Sequence, residues 1–178
     1  MVEEEGEKFF KKIKIKEKNV ILDFGCGQGT YTIPIAKVVG KEGKVYALDK
    51  DEYDLNELIQ RAKLINLKNI ETIKTSGELK IPIKDEFIDV VLLYDVLHDY
   101  YFSLSERKKL LREVCRVLKP NSLLSVYPKH MELEKIRKEI ENANFYLEDK
   151  YFKTLIHENR YTDGYILNFR KTDKKIRG

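Results

Sequence analysis

The sequence predicts an α/β fold with a mostly parallel sheet and an antiparallel edge. Short apolar runs alternate with helical hydrophobic patterns up to about residue 142, and two strand-like segments then follow in succession. Such alternation is typical of parallel sheets, which need a crossover between successive strands. A length of 178 residues suits one domain. We therefore expect a single domain over residues 1–178, with an N-terminal helix or cap at 1–18 and a basic tail at 171–178.

The first half contains three predicted strands, and a helix follows each of the first two. Residues 19–24 form a continuous apolar run, as in a parallel strand that is covered on both faces. Gly40 predicts the end of the next helix. Leu55, Leu58 and Ala62 share one face of the helix after that. The predicted strands of this half are 19–24, 44–49 and 70–73.

The second half continues the alternation and then becomes antiparallel. Residues 87–94 form the fourth predicted strand. The residues from Ser103 to Glu106 read as a capping box, which satisfies N–H groups at a helix start. Pro120 and Asn121 predict a turn into a fifth strand at 123–127. A helix at 131–142 and two pairing strands at 146–155 and 161–170 complete the prediction.

A glycine-rich segment after the first strand predicts a ligand site. Gly25, Gly27 and Gly29 allow a tight turn and a close approach of the backbone to a ligand. The following helix points its N–H groups at that ligand. The segment departs from a dinucleotide motif, which would have its third glycine at Thr30, and it lacks the Gly-Lys-Ser/Thr of a P-loop. Asp49, which ends the second strand, is suited to accept hydrogen bonds from a ribose diol.

In the glycine-rich segment and at three later places, the sequence resembles the class I S-adenosylmethionine-dependent methyltransferases. The resemblance is to the group that includes ubiquinone/menaquinone-biosynthesis enzymes in particular. The matching segments are Val20–Gly29, Val45–Asp49, Glu86–Tyr94 and Leu111–Leu124. The resemblance implies a Rossmann-like, doubly wound sheet of seven strands, mostly parallel, with an antiparallel C-terminal strand. It also implies an enzyme that uses S-adenosylmethionine (SAM) as its cofactor.

The resemblance assigns cofactor contacts to individual residues. Asp23 would help to hold the ammonium group of SAM, and Asp49 would bind the ribose. Many relatives have an adenine-facing Asp where this chain has Gly77, so Glu78 or the backbone would take that hydrogen bond. The implied cofactor set is Asp23, Gly25, Cys26, Gly27, Gln28, Gly29, Asp49, Lys50, Ser76, Gly77, Glu78 and Tyr94.

Structural roles remain open for several of these residues. Asp49 is also suited to cap the following helix, since Asp is a favoured N-cap. Asp23 is also suited to form a turn, and Cys26 to serve as a small loop residue rather than a nucleophile. No disulfide is expected between Cys26 and Cys115, and no metal site is predicted from their spacing.

Two residues after the fourth strand are candidates for catalysis. His98 has a side chain suited to act as a base near neutral pH, and Asp95 would position the acceptor or the base. The alternative is that His98 only packs beside the cleft. The aromatic residues Tyr100, Tyr101 and Phe102 would either line an acceptor pocket or fill the core.

Composition sets the remaining expectations. The net charge of +4 is too mild to indicate a nucleic-acid binder, and the 36% of charged residues is typical of thermophilic proteins. No apolar run is long enough to span a membrane, so we expect a cytoplasmic protein without membrane insertion. A methyltransferase that acts on a small molecule is favoured. The alternatives are a methyltransferase that acts on RNA or protein and a nucleotide-binding protein that transfers no methyl group. We expect a monomer or a homodimer.

Overall fold

The computed structural model describes residues 2–157 and 160–172, so residues 173–178 of the predicted basic tail lie outside the described residues. The helices and strands in this part of the chain follow the predicted order. They are α1 Val2–Lys12, β1 Val20–Phe24, α2 Thr32–Val39, β2 Lys44–Asp49, α3 Glu52–Leu64, β3 Ile70–Lys74, β4 Ile88–Tyr94, α4 Leu104–Val117, β5 Leu118–Tyr127, α5 Leu133–Glu141, β6 Phe145–His157 and β7 Arg160–Lys171.

The strands form one mixed sheet in the order β3-β2-β1-β4-β5-β7-β6. β2 pairs in parallel with β1 and with β3, and β4 pairs in parallel with β5. β7 is antiparallel to both β5 and β6. The predicted fold class, a mostly parallel seven-stranded sheet with an antiparallel C-terminal part, is confirmed.

The chain divides into two compact units, Met1–Glu78 and Leu79–Gly178. The first unit contains α1 to β3, and the second contains β4 to β7. The single domain over 1–178 stays a prediction.

In the first unit, local signals set the ends of two helices. Gly40 follows α2 in the left-handed region, with φ of 69°, as expected of a helix-ending glycine. Asp51 caps α3, because its Oδ1 accepts hydrogen bonds from the N–H groups of Tyr53 and Asp54. The alternative in which Asp49 caps this helix is therefore wrong.

In the second unit, the predicted capping box is present. Ser103 Oγ accepts from the N–H of Glu106, and the carboxylate of Glu106 accepts from the N–H of Ser103. β5 begins at Leu118, immediately after α4, rather than at Leu123. A register shift absorbs the expected turn, because Ile88 pairs with Leu118 but Val90 already pairs with Leu123.

The last two strands form a long hairpin. β7 pairs with β5 over Leu167–Arg170, whereas it pairs with β6 over nearly its whole length. The hairpin therefore continues past the end of β5, Tyr127, whose ring packs where a Cβ on Gly164 would lie. Tyr127 Oη also lies 3.2 Å from Thr162 Oγ1. These contacts brace the hairpin beside the carboxyl end of β5.

Candidate active site

The segment between β1 and α2 is a turn built on three left-handed glycines. The φ angles are 75° at Gly25, 49° at Gly27 and 82° at Gly29. Glycine adopts such positive φ angles with little strain because it has no Cβ. The N–H groups of Gly25 and Cys26 donate to the carbonyl of Leu48, at 2.8 and 3.2 Å. The loop is thus tied to the end of β2.

Two of these glycines differ in what a side chain would meet there. A Cβ on Gly29 would lie 2.2 Å from Cδ1 of Leu58, so Gly29 lets the loop pack against α3. A Cβ on Gly27 would meet Oδ2 of Asp54 at 3.9 Å, which is an ordinary contact. The position of a Cβ is therefore unfilled at Gly27, whereas Gly29 has a packing role that the sequence pattern does not distinguish.

Asp49 connects this loop to the start of α3. Its Oδ2 accepts from the N–H of Gly27 at 2.8 Å, and its Oδ1 accepts from the N–H of Asp51 at 3.0 Å. A carboxylate has about four lone-pair positions, so these two bonds leave acceptor capacity for the hydroxyls of a diol. The position agrees with the ribose-binding role that the sequence predicts.

Asp23 is a buried carboxyl group with one neutral hydrogen-bond donor. It is 2% exposed, and its Oδ2 accepts from Thr32 Oγ1 at 2.6 Å. Burial raises the pKa of Asp23 to about 6, the Thr32 hydrogen bond lowers it, and the charge of Asp49 raises it further. A buried carboxylate without a cationic partner among these contacts is costly, which favours a role in binding a positive group.

This pKa predicts a pH-dependent effect of Asp23→Asn. The unfolded chain ionises near the ordinary value of 3.8 and the folded chain near 6, so the parent loses stability as the pH rises between these values. At pH 7 the Asn variant should be more stable by up to about 3 kcal/mol, and the difference should vanish near pH 4. Urea unfolding at several pH values measures it. A difference that does not change with pH would contradict the buried carboxylate.

Cys26 lies in an acidic environment. The pKa of its thiol is raised, first by burial and then by the negative charges of Asp23, Asp49 and Asp54. Cys26 is 8% exposed. Because the thiolate is the reactive form of cysteine, the raised pKa favours the predicted role of Cys26 as a small loop residue over that of a nucleophile.

Two side chains from α3 hold the outer part of the loop. Nε2 of Gln28 donates to Oδ1 of Asp54 at 3.0 Å, and a guanidinium nitrogen of Arg61 donates to the carbonyl of Gln28 at 2.7 Å. Sequence analysis missed both partners, because a residue on the outer turns of a helix carries no local signal for a contact with a distant loop.

The remaining implied cofactor residues differ in exposure. Lys50, Ser76, Gly77 and Glu78 are all exposed in the first unit, and Gly77 has φ of 95° with open space where a Cβ would lie. Tyr94, in the second unit, is buried, and its Oη lies 2.9 Å from Ser125 Oγ. Their contacts with a cofactor stay predictions.

In the second unit, five side chains meet near the ends of β4 and β5. They are Asp95, His98, Tyr100, Tyr101 and His130. The ring of His98 lies 4.3 Å from that of Tyr101 and 5.2 Å from that of His130, measured between centroids. Nε2 of His130 lies 3.7 Å from Oδ1 of Asp95. A third titratable group, His130, therefore lies close to both predicted catalytic residues.

His98 is held in a defined orientation. Its side chain is largely buried, at 8% exposure, and its Nδ1 accepts from the N–H of Tyr100 at 3.2 Å. A neutral imidazole that accepts at Nδ1 carries its proton on Nε2, which can only donate. This arrangement favours a donor or wall role over a base role, and the assignment of His98 as base stays a prediction.

Arg107 anchors the segment that carries these aromatic residues. It is 1% exposed, makes two hydrogen bonds to Glu139 on α5, and donates to Asp99 and to the carbonyl of Phe102. Sequence analysis missed Arg107, because it stands in a charged run on α4 that resembles a solvated face. Its partner Glu139 is 32 residues away in the sequence.

Comparisons with known proteins agree with this fold. A family model described as "Methyltransferase domain" matches residues 15–171. The chain is 32% identical over 119 residues to a demethylmenaquinone methyltransferase of Lactobacillus johnsonii, covering 67% of this chain and 47% of that protein. It is also 32% identical over 133 residues to a ubiquinone/menaquinone biosynthesis C-methyltransferase of Neisseria meningitidis, covering 74% of this chain and 50% of that protein.

A solved structure shares this fold. The crystal structure of a SAM-dependent methyltransferase from Aquifex aeolicus superposes with a TM-score of 0.75 at 27% identity, covering 93% of this chain and 88% of that one. The fold and these matches place the chain among the class I SAM-dependent methyltransferases, as predicted. The chain belongs to the methyltransferase-domain family.

Two further facts concern the coverage of the relatives and the helices of the chain. The chain spans about half the length of the curated relatives that it matches. Among residues 2–157 and 160–172, no helix is long and apolar enough to cross a membrane.

Proposed function

We propose that the chain binds SAM through its first unit and transfers the methyl group to a small molecule. The observation that carries this proposal is the acidic cluster at the glycine loop, where Asp49 accepts from the N–H of Gly27 and its charge helps to raise the pKa of the buried Asp23. When bound, SAM supplies a methyl group activated by a positively charged sulfur, so that the protein mainly has to position the acceptor.

The residues of the first unit fit this cofactor. The space beside Gly27, which a Cβ would fill, allows a ligand to approach the backbone. Asp23, Asp49 and Asp54 together produce a negative field around Cys26. That field suits the ammonium and sulfonium charges of SAM and disfavours the pyrophosphate of a dinucleotide. The charge therefore argues against an oxidoreductase that binds a dinucleotide, whereas a non-methylating cofactor sensor stays an alternative.

A planar aromatic acceptor is the best-supported substrate class. Tyr100 is 86% and Tyr101 is 53% exposed beside His98, and such side chains are suited to stack against a flat ring. Relatives named for demethylmenaquinone make a demethylmenaquinol the first acceptor to test. Release of S-adenosylhomocysteine in its presence is the assay. RNA and protein acceptors, the oligomeric state and a cytoplasmic location stay predictions.

The ribose role of Asp49 predicts a large loss of affinity in Asp49→Ala. Removing a charged acceptor of hydrogen bonds costs about 1.5–3 kcal/mol, which corresponds to a roughly 10–150-fold weaker dissociation constant for SAM. Calorimetric titration with SAM measures this loss.

Asp51→Ala is the matched control for the neighbouring helix cap. It should lower the free energy of unfolding by about 1 kcal/mol and leave the affinity for SAM unchanged. If Asp49→Ala changed the affinity by less than about threefold, a change worth under 1 kcal/mol, the ribose role would be excluded.

A further inference from the structure

We propose that His130 is the general base for the acceptor and that Asp95 positions it. This inference rests on the proposed function, since it concerns how the acceptor is deprotonated. His130 lies in the loop after β5, three residues beyond Tyr127, and its side chain is 48% exposed. An acceptor can therefore reach His130, whereas His98 is largely buried.

The orientation of each imidazole separates the two histidines. His98 accepts from a backbone N–H through Nδ1, so the lone pair that a base would use is already occupied. His130 turns Nε2 toward the carboxylate of Asp95, at 3.7 Å. A proton on Nε2 is favoured by that negative charge, and the basic lone pair of neutral His130 is then on Nδ1.

The backbone places Asp95 for this contact. Asp95 has φ of 58°, in the left-handed region that Asp tolerates better than most residues. Its N–H donates to the carbonyl of Tyr127 at 2.9 Å. This bond ties the end of β4 to the end of β5 and brings Asp95 to the loop that carries His130. A non-glycine residue held in such a conformation is common at functional sites.

Other charged or titratable groups adjoin His130. His98 faces it at a ring distance of 5.2 Å, and Asp95 faces it from the end of β4. Lys129, its neighbour in the chain, donates from Nζ to the carbonyl of Asp163 on β7 at 3.4 Å. The rings of Tyr100 and Tyr101 pack against His98, which lies between them and His130 in this set of contacts. The negative charge nearest to His130 in these contacts is that of Asp95.

For a hydroquinone-type acceptor the step balances without a further reagent. The acceptor O–H bond breaks and the proton moves to Nδ1 of His130. The electron pair left on oxygen is delocalised to a ring carbon, which bonds to the methyl group as the methyl–sulfur bond breaks and its electrons remain on sulfur. His130 returns its proton to the oxygen, and the proton on the methylated carbon leaves to solvent. The net products are the methylated acceptor, S-adenosylhomocysteine and one proton.

The first test does not require turnover. Two-bond ¹H–¹⁵N correlation spectra of the full chain report which nitrogen of each histidine carries the proton. We expect the neutral forms of His98 and His130 to be protonated on Nε2. Asp95→Asn, which suits the same left-handed backbone, should change the nitrogen shifts of His130 and leave those of His98 unaltered. The proposal would be overturned if neutral His130 were protonated on Nδ1. It would also be overturned if the nitrogen shifts of His130 did not change in Asp95→Asn.

The second test compares turnover of a short-chain demethylmenaquinol. His130→Gln should lower kcat about 10²-fold and abolish the acidic limb of the pH–rate profile, while the affinity for SAM stays within twofold of the parent, as calorimetry measures. Asp95→Asn should weaken the same limb with a smaller loss, and His98→Gln should retain it. Lys129→Gln is the control for the loop and should turn over like the parent.

The outcomes separate the base from the proposed function. If His98→Gln loses the acidic limb and His130→Gln keeps it, His98 is the base and the proposal is overturned. If the parent binds SAM and shows the expected histidine spectra but releases no S-adenosylhomocysteine, the acceptor assignment fails while the pairing of Asp95 with His130 stands. If the parent does not bind SAM, the proposed function fails.

Discussion

Replacing Gly27 with valine is expected to abolish measurable SAM binding. The backbone there has φ of 49° and a Cβ would enter the open space beside the loop, so a branched side chain would occupy the space of the ligand. We expect a loss of more than about 100-fold, equivalent to roughly 3 kcal/mol. Calorimetric titration with SAM measures the loss, and circular dichroism shows whether the fold is retained.

Gly40→Val is the matched control for backbone strain. Gly40 also lies in the left-handed region, with φ of 69°, and a Cβ there would meet nothing within 4 Å. Both variants pay the cost of a β-branched residue at positive φ, on the order of 1–2 kcal/mol, but only Gly27→Val should lose SAM. Equal affinity of Gly27→Val and the parent would refute the cofactor assignment.

The second large effect concerns stability, and Arg107→Met should produce it. Methionine fills a similar volume but leaves Glu139, whose side chain is 10% exposed, without its two hydrogen bonds. Breaking a buried ion pair by removing one partner costs roughly 3–5 kcal/mol. Urea unfolding measures the free energy. Because Arg107 also binds the carbonyl of Phe102, the segment that carries Tyr100 and Tyr101 should become more accessible to protease.

Two comparisons make this prediction specific. Arg137→Met removes an arginine that is 41% exposed and pairs with Glu141, and an exposed pair of this kind contributes under about 1 kcal/mol. The double change Arg107→Met with Glu139→Leu should recover part of the loss, because no buried charge is then left unpaired. If Arg107→Met and Arg137→Met cost the same, the buried pair would have no special role.

Local features of the fold could be predicted from the sequence because their causes are local. The capping box at Ser103 and the helix end at Gly40 depend on residues within one turn, and both are confirmed. The start of β5 was missed. Pro120 and Asn121 predict a turn, and the strand accommodates them as an irregularity that its pairing with β4 makes possible.

The candidate site was predictable only where a motif specifies it. The glycine loop and Asp49 lie at strand ends, and the structure joins them through the hydrogen bond from Gly27 to Asp49. Asp95 and His130 are 35 positions apart in the sequence, on two different loops. Their contact depends on how the fold brings these loops together, for which the sequence carries no local signal. The choice of Asp51 over Asp49 as the cap of α3 likewise depends on backbone angles.

The acidic surroundings of Cys26 have a consequence for the chemistry of the protein itself. An alkylating cofactor can methylate a nucleophile that is aligned with its methyl–sulfur bond, and a cysteine thiolate is among the strongest nucleophiles that a protein offers. Burial and three neighbouring carboxylates keep this thiol protonated, through the rise in its pKa. At the loop that we propose for SAM, Cys26 is therefore a poor target for self-methylation, and the same rise in pKa disfavours attack by oxidants that react with thiolates.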